Sequence, residues 1–151
     1  MQIDPRGPRF AATVTTVVLA VALITGSGWV LAAQGAVFAI GAVRGIQFTP
    51  YAVFFRRFVR PRLAPPTELE DSRPPRFAQS VGLAFAVVGV IAAIFGWTPL
   101  FLVATGFALG AAFLNAAFGY CLGCEVYLLI RRARPNTSTS TKNPRHEEIS
   151  A

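Results

Sequence analysis

At 151 residues, 54% hydrophobic and only 14% charged, the chain is one compact domain in size. It is too poor in charge for an ordinary soluble fold, in which roughly a quarter of residues are charged. Its charge is also segregated, with arginines crowded between apolar runs that contain none, so the composition points to an integral membrane protein. A net charge of +7 would suit nucleic acid, but arginines flanking apolar runs read as lipid contacts and orientation signals, so no nucleic-acid partner is expected.

Met1 to Arg9 is polar, contains Pro5 and Pro8, and reads as a cytoplasmic N-terminal segment. Phe10 to Thr25 is uncharged and rich in Val, Leu and Ala. No small-residue cleavage site follows a short apolar core, so this run reads as retained and not as a cleaved signal. Gly26-Ser27-Gly28 breaks it, and Trp29 to Val43 is a second uncharged run; each is at the short end of the roughly 17–25 residues a span needs. Trp29 at the turn fits an interfacial aromatic residue. Gly35, Gly41 and Gly45 are expected to let helices approach closely, with Gly41-x-x-x-Gly45 as a packing face.

Thr49 can cap the next segment and Pro50 suits a first helical turn. Tyr51 to Arg60 mixes aromatic residues with arginines at helical spacing. It reads as a short helix on the cytoplasmic membrane surface, with Arg56, Arg57, Arg60 and Arg62 directed at lipid head groups or a protein partner. Pro61 to Pro75 holds Glu68, Glu70 and Asp71 among its prolines and reads as a semi-rigid linker. Phe77 to Phe95 and Leu100 to Phe118 are the third and fourth apolar runs, separated at Gly96-Trp97-Thr98-Pro99. Gly106 and Gly110 suggest a second small-residue face, and Asn115 is the polar exception. The tail from Arg134 is rich in Pro, Asn, Thr, Ser and Lys and is expected to be disordered. It holds the only histidine, His146, which leaves no histidine for a site in the apolar body.

The halves resemble each other. Pro8-Arg9-Phe10-Ala11 recurs as Pro75-Arg76-Phe77-Ala78, each at the entry to an apolar run. Each half then has a tryptophan-bearing turn, a second run with small residues, and a Tyr-led segment ending on an Arg-Arg pair. The predicted fold is therefore all-α: a polytopic membrane protein of four transmembrane helices in a tandem repeat of two-helix hairpins, each followed by a short interfacial amphipathic helix. Repeat one covers about 5–62 and repeat two about 72–132, within a membrane domain of 1–132, leaving 133–151 as the tail. In this arrangement the arginines of both termini and of the linker fall on one side, while the turns near Gly26 and Trp97 carry no charge. The positive-inside rule then places the chain in the cell membrane, multi-pass, with both termini cytoplasmic.

Chemistry concentrates in Gly119-Tyr120-Cys121-Leu122-Gly123-Cys124-Glu125, which contains the only two cysteines. One helical turn apart, Cys121 and Cys124 share a face and lie within reach of a disulfide. If a helix begins here, Cys121 sits at its N-terminus, where exposed amides favour the thiolate. Glu125 opposes this at Cys124, so Cys121 is the expected attacking thiol and Cys124 the resolving one. A cytoplasmic face is reducing, which favours a transient disulfide or a persulfide exchanged with a soluble thiol or sulfur-transfer protein over a structural bridge. Two other readings stay open. The pair can pack as small apolar residues, or a homo-oligomer can share two pairs to complete a zinc site, since one C-x-x-C supplies only two of about four ligands. Asn115 precedes Cys121 by two turns and is expected either to hydrogen-bond across helices, with Gln34 as its partner, or to line a polar path to the cysteines. Glu125 is the acidic residue nearest the apolar body, with Arg132 as its expected ion-pair partner.

No nucleotide-binding loop, Ser-His-Asp set or paired in-membrane carboxylates occur in the sequence. Two functions fit: a membrane thiol protein working through the C-x-x-C, or a non-enzymatic scaffold or small-solute carrier whose cysteines are structural.

Four segments together resemble a known family: Asp4-Pro5-Arg6-Gly7-Pro8-Arg9-Phe10, Phe55-Arg56-Arg57-Phe58-Val59-Arg60-Pro61-Arg62-Leu63, Pro75-Arg76-Phe77-Ala78-Gln79, and Phe118-Gly119-Tyr120-Cys121-Leu122-Gly123-Cys124-Glu125. The chain is similar, up to about Arg132, to domain of unknown function 4395. The resemblance implies a small bacterial membrane protein and carries no established activity.

Overall fold

Prolines mark where the long helices begin. Helix α1 (Arg6–Thr25) has Pro8 in its first turn, α4 (Arg73–Ile94) has Pro74 and Pro75, and α5 (Thr98–Phe118) has Pro99. The first turn of a helix has unpaired amides, so a residue without one fits there, and the fixed proline φ suits the helix. Hence α1 and α4 start ahead of the apolar runs at Phe10 and Phe77, and Pro74–Pro75 belong to a helix and not to the linker. Helix α2 (Gly28–Val43) starts at Ser27, whose hydroxyl accepts the Val30 amide at 3.4 Å. Thr13, Thr16 and Thr25 donate to carbonyls four residues back at 3.0, 2.8 and 2.7 Å, which satisfies hydroxyls in an otherwise apolar helix.

These elements come from a computed structural model describing residues 2–134; the tail from 135, with His146, lies outside the described residues. Between α2 and α4 the chain makes a 3₁₀ turn (Ile46–Phe48), helix α3 (Pro50–Phe54), a π-helical turn (Phe55–Val59) and a further 3₁₀ turn (Arg60–Arg62). Thr49 caps α3, accepting the Ala52 amide at 3.3 Å, and Pro50 is its first residue. Two short strands, β1 (Gln2–Ile3) and β2 (Glu70–Asp71), pair antiparallel and tie the N-terminus to the linker. The last helix is α6 (Leu122–Ala133), which is amphipathic.

Helices α1, α4 and α5, at 20, 22 and 21 residues, are long and apolar enough to cross a membrane. Helix α2 has 16 residues, about 24 Å at 1.5 Å per residue, short of the ~30 Å hydrocarbon core. The most extensive packing runs between halves, α2 on α4 and α1 on α5, with α4 also against α5 and α1 against α2. Leu19, Ala22, Leu31, Phe38, Ala86, Ala92, Phe101 and Ala108 form the core. Outside it, large apolar residues face outward: Ile24 is 85% exposed, Trp29 88% and Ile94 74%. Water does not tolerate so much contiguous apolar surface, whereas lipid does.

The small-residue faces differ from expectation. Gly35 and Gly41 do admit α4, since a Cβ on them would lie 3.4 Å from Ala86 Cβ and 2.8 Å from Gln79 Cγ. Gly45 is not on that face, because α2 ends at Val43 and Gly45 turns the chain with φ 112°, a conformation open to glycine. Gly106 and Gly110 face open space, so no helix among the described residues uses that stripe.

Candidate functional site

The C-x-x-C occupies a corner between two helices. Helix α5 stops at Phe118 because Gly119 turns left-handed (φ 67°) and donates its amide to Asn115 O at 3.0 Å; the Tyr120 amide closes the end on Leu114 O at 3.3 Å. Two extended residues later α6 begins, with Cys121 as its N-cap, in backbone geometry (φ −90°, ψ 100°) typical of that position. Cys121 Sγ accepts the Cys124 amide at 3.4 Å, and the Glu125 amide bonds Cys121 O at 3.1 Å. The expected placement of Cys121 at a helix N-terminus therefore holds. The two sulfurs are bonded to each other, with Cα atoms 5.2 Å apart, and both residues are half-buried. A donated amide and the positive end of α6 are what a thiolate at Cys121 needs.

Gly123, between the cysteines, has a packing reason. A Cβ there would lie 2.6 Å from Ala78 Cβ and 2.7 Å from Ala78 Cα, so the first turn of α6 rests on the backbone of α4. The Phe77 and Tyr127 rings, 5.7 Å apart, continue that contact. At the other end of α6, Arg131 and Arg132 complement the carbonyl end of the helix.

Beside the pair lies a cavity of about 760 Å³ lined by residues of α1, α2, α4, α5 and α6, and both cysteines line it. Its walls are mainly apolar, with Phe38, Phe85 and Phe107 among them; the last two rings stack at 6.1 Å. Its polar lining includes Thr15, Gln79, Asn115 and Tyr120, and Gln79 Oε1 is buried with no hydrogen-bond partner among the described residues. Arg9 and Glu125 are also part of the lining.

Asn115 thus lies on the same cavity as the cysteines. Gln34, its expected partner, is bonded elsewhere: its Nε2 donates to Thr15 Oγ1 at 3.3 Å, and its Oε1 accepts the Tyr51 hydroxyl at 2.8 Å. Burial against these groups raises the Tyr51 phenol above its ordinary value. Glu125 is exposed and makes no ion pair with Arg132; among the described residues the one ion pair is Arg6 with Asp4 at 3.3 Å. For the same reason Arg56, Arg57, Arg60 and Arg62, all exposed, do not pair with Glu68, Glu70 or Asp71.

Arg9 and Gln79 were not among the residues singled out from sequence. Arg9 donates Nε and Nη2 to Ala116 O and Ala117 O, both at 3.3 Å, and so caps α5 just before the motif. Arg76 donates likewise to Ala42 O at 2.7 Å and Val43 O at 2.6 Å at the end of α2. The recurring Pro-Arg-Phe-Ala was the available signal. It gave no hint that each arginine reaches the other half's helix.

A family model described as a domain of unknown function, DUF4395, matches residues 3–132. No curated protein and no solved structure matches the chain. A match over so much of the sequence, carrying the corner and both arginine caps, means that the chain belongs to the DUF4395 family.

Proposed function

We propose that this is a membrane thiol protein in which Cys121 and Cys124 cycle between dithiol and disulfide, or hold sulfur as a persulfide, for a cytoplasmic partner. The observation that carries it is the bonded pair at the start of α6, with the Cys121 sulfur accepting an amide. In the exchange, the Cys121 thiolate attacks a partner disulfide and one partner sulfur leaves as thiolate. The Cys124 thiolate then attacks Cys121 in the mixed disulfide, leaving Cys121–Cys124 bonded and the partner as dithiol.

Four spans, with both termini and the linker cytoplasmic, form the scaffold of this reading. Arginine distribution supports the orientation, and interfacial Trp29 with Arg44 offsets the shortness of α2. Several paired contacts favour a tandem repeat. Arg9 and Arg76 cap each other's partner helix; Phe10 meets Phe55 at 5.6 Å as Phe77 meets Tyr127 at 5.7 Å; Thr49 caps α3 as Cys121 caps α6. Cys121 then stands where the other half has threonine, which favours a specialised role over a structural one. The exposed Arg56–Arg62 cluster, unpaired with the acidic linker, supports an additional docking role toward anionic head groups.

The test is partner capture. A Cys124→Ser variant, lacking the resolving thiol, should accumulate a mixed disulfide through Cys121, and Cys121→Ser should accumulate none. Equal capture by both variants, or by neither, contradicts the proposal.

A further inference from the structure

The first half carries a concave surface of its own, at the end of the bundle where α1 begins. A shallow groove of about 360 Å³ is lined by Phe10 and Val14 of α1 and by Pro50, Tyr51 and Phe54 of α3. Phe10 and Val14, four residues apart, are neighbours on one face of α1, so the groove wall follows the axis of that helix. The lining is apolar throughout. Its single polar side-chain atom, the Tyr51 hydroxyl, is donated to Gln34 Oε1 at 2.8 Å. The Phe10 and Phe54 rings stack at 6.1 Å and Phe54 meets Phe58 at 4.9 Å, so the aromatic wall continues into the π-helical turn. Phe54 and Phe58 are each 51% exposed, which suits contact with acyl chains better than with water.

That same turn carries Arg56 and Arg57, and Arg60 and Arg62 follow it. Phe54 and Arg57, three residues apart, are neighbours on the helix surface. Arg6, Arg9 and Arg76 each commit the guanidinium to backbone carbonyls. Among the described residues no side-chain hydrogen bond or ion pair holds any of the four arginines from 56 to 62. No acidic residue occurs in the sequence between Asp4 and Glu68, so nothing local in the chain offsets their charge. Four uncompensated guanidiniums beside an apolar groove match a molecule with an anionic head and a hydrocarbon chain.

We propose that the groove and the arginines form one site that holds a single anionic phospholipid, with an acyl chain in the groove and the phosphate on Arg57. Arg56, Arg60 and Arg62 add attraction. The site rests on the head-group docking role proposed above and adds to it a fixed place for one lipid molecule. A guanidinium presents paired donors to phosphate oxygens, and these arginines lie at the end of the bundle assigned to the cytoplasm, level with anionic head groups. An acidic peptide would satisfy the arginines and leave the groove empty, whereas a lipid occupies both.

Bound lipids are counted by native mass spectrometry on the full chain in detergent, titrated with phosphatidylglycerol or phosphatidylcholine. Saturation at one phosphatidylglycerol per protein is expected, about tenfold tighter than phosphatidylcholine and roughly fivefold weaker in Arg57→Gln. Val14→Phe, which fills the groove, should weaken binding by a similar factor. Glycerophosphoglycerol, the same head group without chains, should bind about tenfold or more weaker than the lipid. If Val14→Phe does not fold, that comparison carries the test of the groove. Uptake of phosphatidylglycerol that never saturates and is unmoved by Val14→Phe overturns the fixed site and leaves the docking role standing. Equal binding of glycerophosphoglycerol and lipid does the same. Equal binding of both phospholipids, unmoved by Arg57→Gln, overturns the site and the docking role together.

Discussion

Substituting alanine for Gly123 discriminates sharply between a flexible glycine and a packing glycine. By helix propensity alone, Gly→Ala within α6 stabilises by up to about 1 kcal/mol. By packing, the new methyl carbon would lie 2.6 Å from Ala78 Cβ and 2.7 Å from Ala78 Cα, against the ~3.5–4.0 Å of an optimal carbon contact. One of these neighbours is backbone within the 22-residue α4, so α6 must lift by about 1 Å. Overpacking of this kind costs roughly 1–3 kcal/mol. The packing penalty wins, leaving α6 undocked by a net ~0.5–2 kcal/mol, which corresponds to roughly 2- to 30-fold faster opening. Hydrogen exchange of the amides of 122–133 reads this directly, with the amides of α1 as an internal control. Slower or unchanged exchange in α6 would refute the claim that Gly123 exists to seat the cysteines on α4.

Other substitutions test the frame around the site. Arg9→Gln and Arg76→Gln should each lower the midpoint of denaturant unfolding in detergent by a similar amount, about 1–2 kcal/mol, since each removes two charge-assisted bonds from an exposed helix end. A cost confined to one of them would argue against equivalent halves. Tyr51→Phe should cost about 1–3 kcal/mol by leaving the buried Gln34 Oε1 without its donor. Burial raises the Tyr51 phenol above 10.0, so the unfolded chain loses this proton first as pH rises. Its contribution is full below pH 10.0 and is lost above it, a slope that unfolding measurements should find in wild type and not in Tyr51→Phe.

Much of the scaffold was legible because lipid imposes simple rules. Uncharged runs located α1, α2, α4 and α5, whereas the start of α6 entered the sequence reading only as a condition, that a helix beginning there puts Cys121 at its N-terminus. The apolar runs begin about a turn after the starts of α1 and α4, since hydropathy marks where apolar residues begin whereas their proline-bearing first turns are polar. The Gly41–Gly45 and Gly106–Gly110 spacings misled because a small-x-x-x-small pattern records only a helical face. Whether a neighbour covers that face is a tertiary matter: α4 covers Gly41, and nothing among the described residues covers Gly106. Gln34 could not be matched to its partner for the same reason, as its bond to Tyr51 depends on where α3 folds back. The cavity was invisible in sequence, because it forms only where residues of several helices far apart in the chain come together.

The thiol state of Cys121 and Cys124 in living cells tests the central claim most directly. Trapping with acid, then alkylating before and after reduction, reports the fraction bonded. A partly oxidised pair is expected, which shifts toward disulfide on brief oxidant exposure, returns to dithiol on recovery, and is abolished in either Cys→Ser variant. A pair that stays reduced throughout, with Cys→Ser cells behaving as wild type, would contradict it.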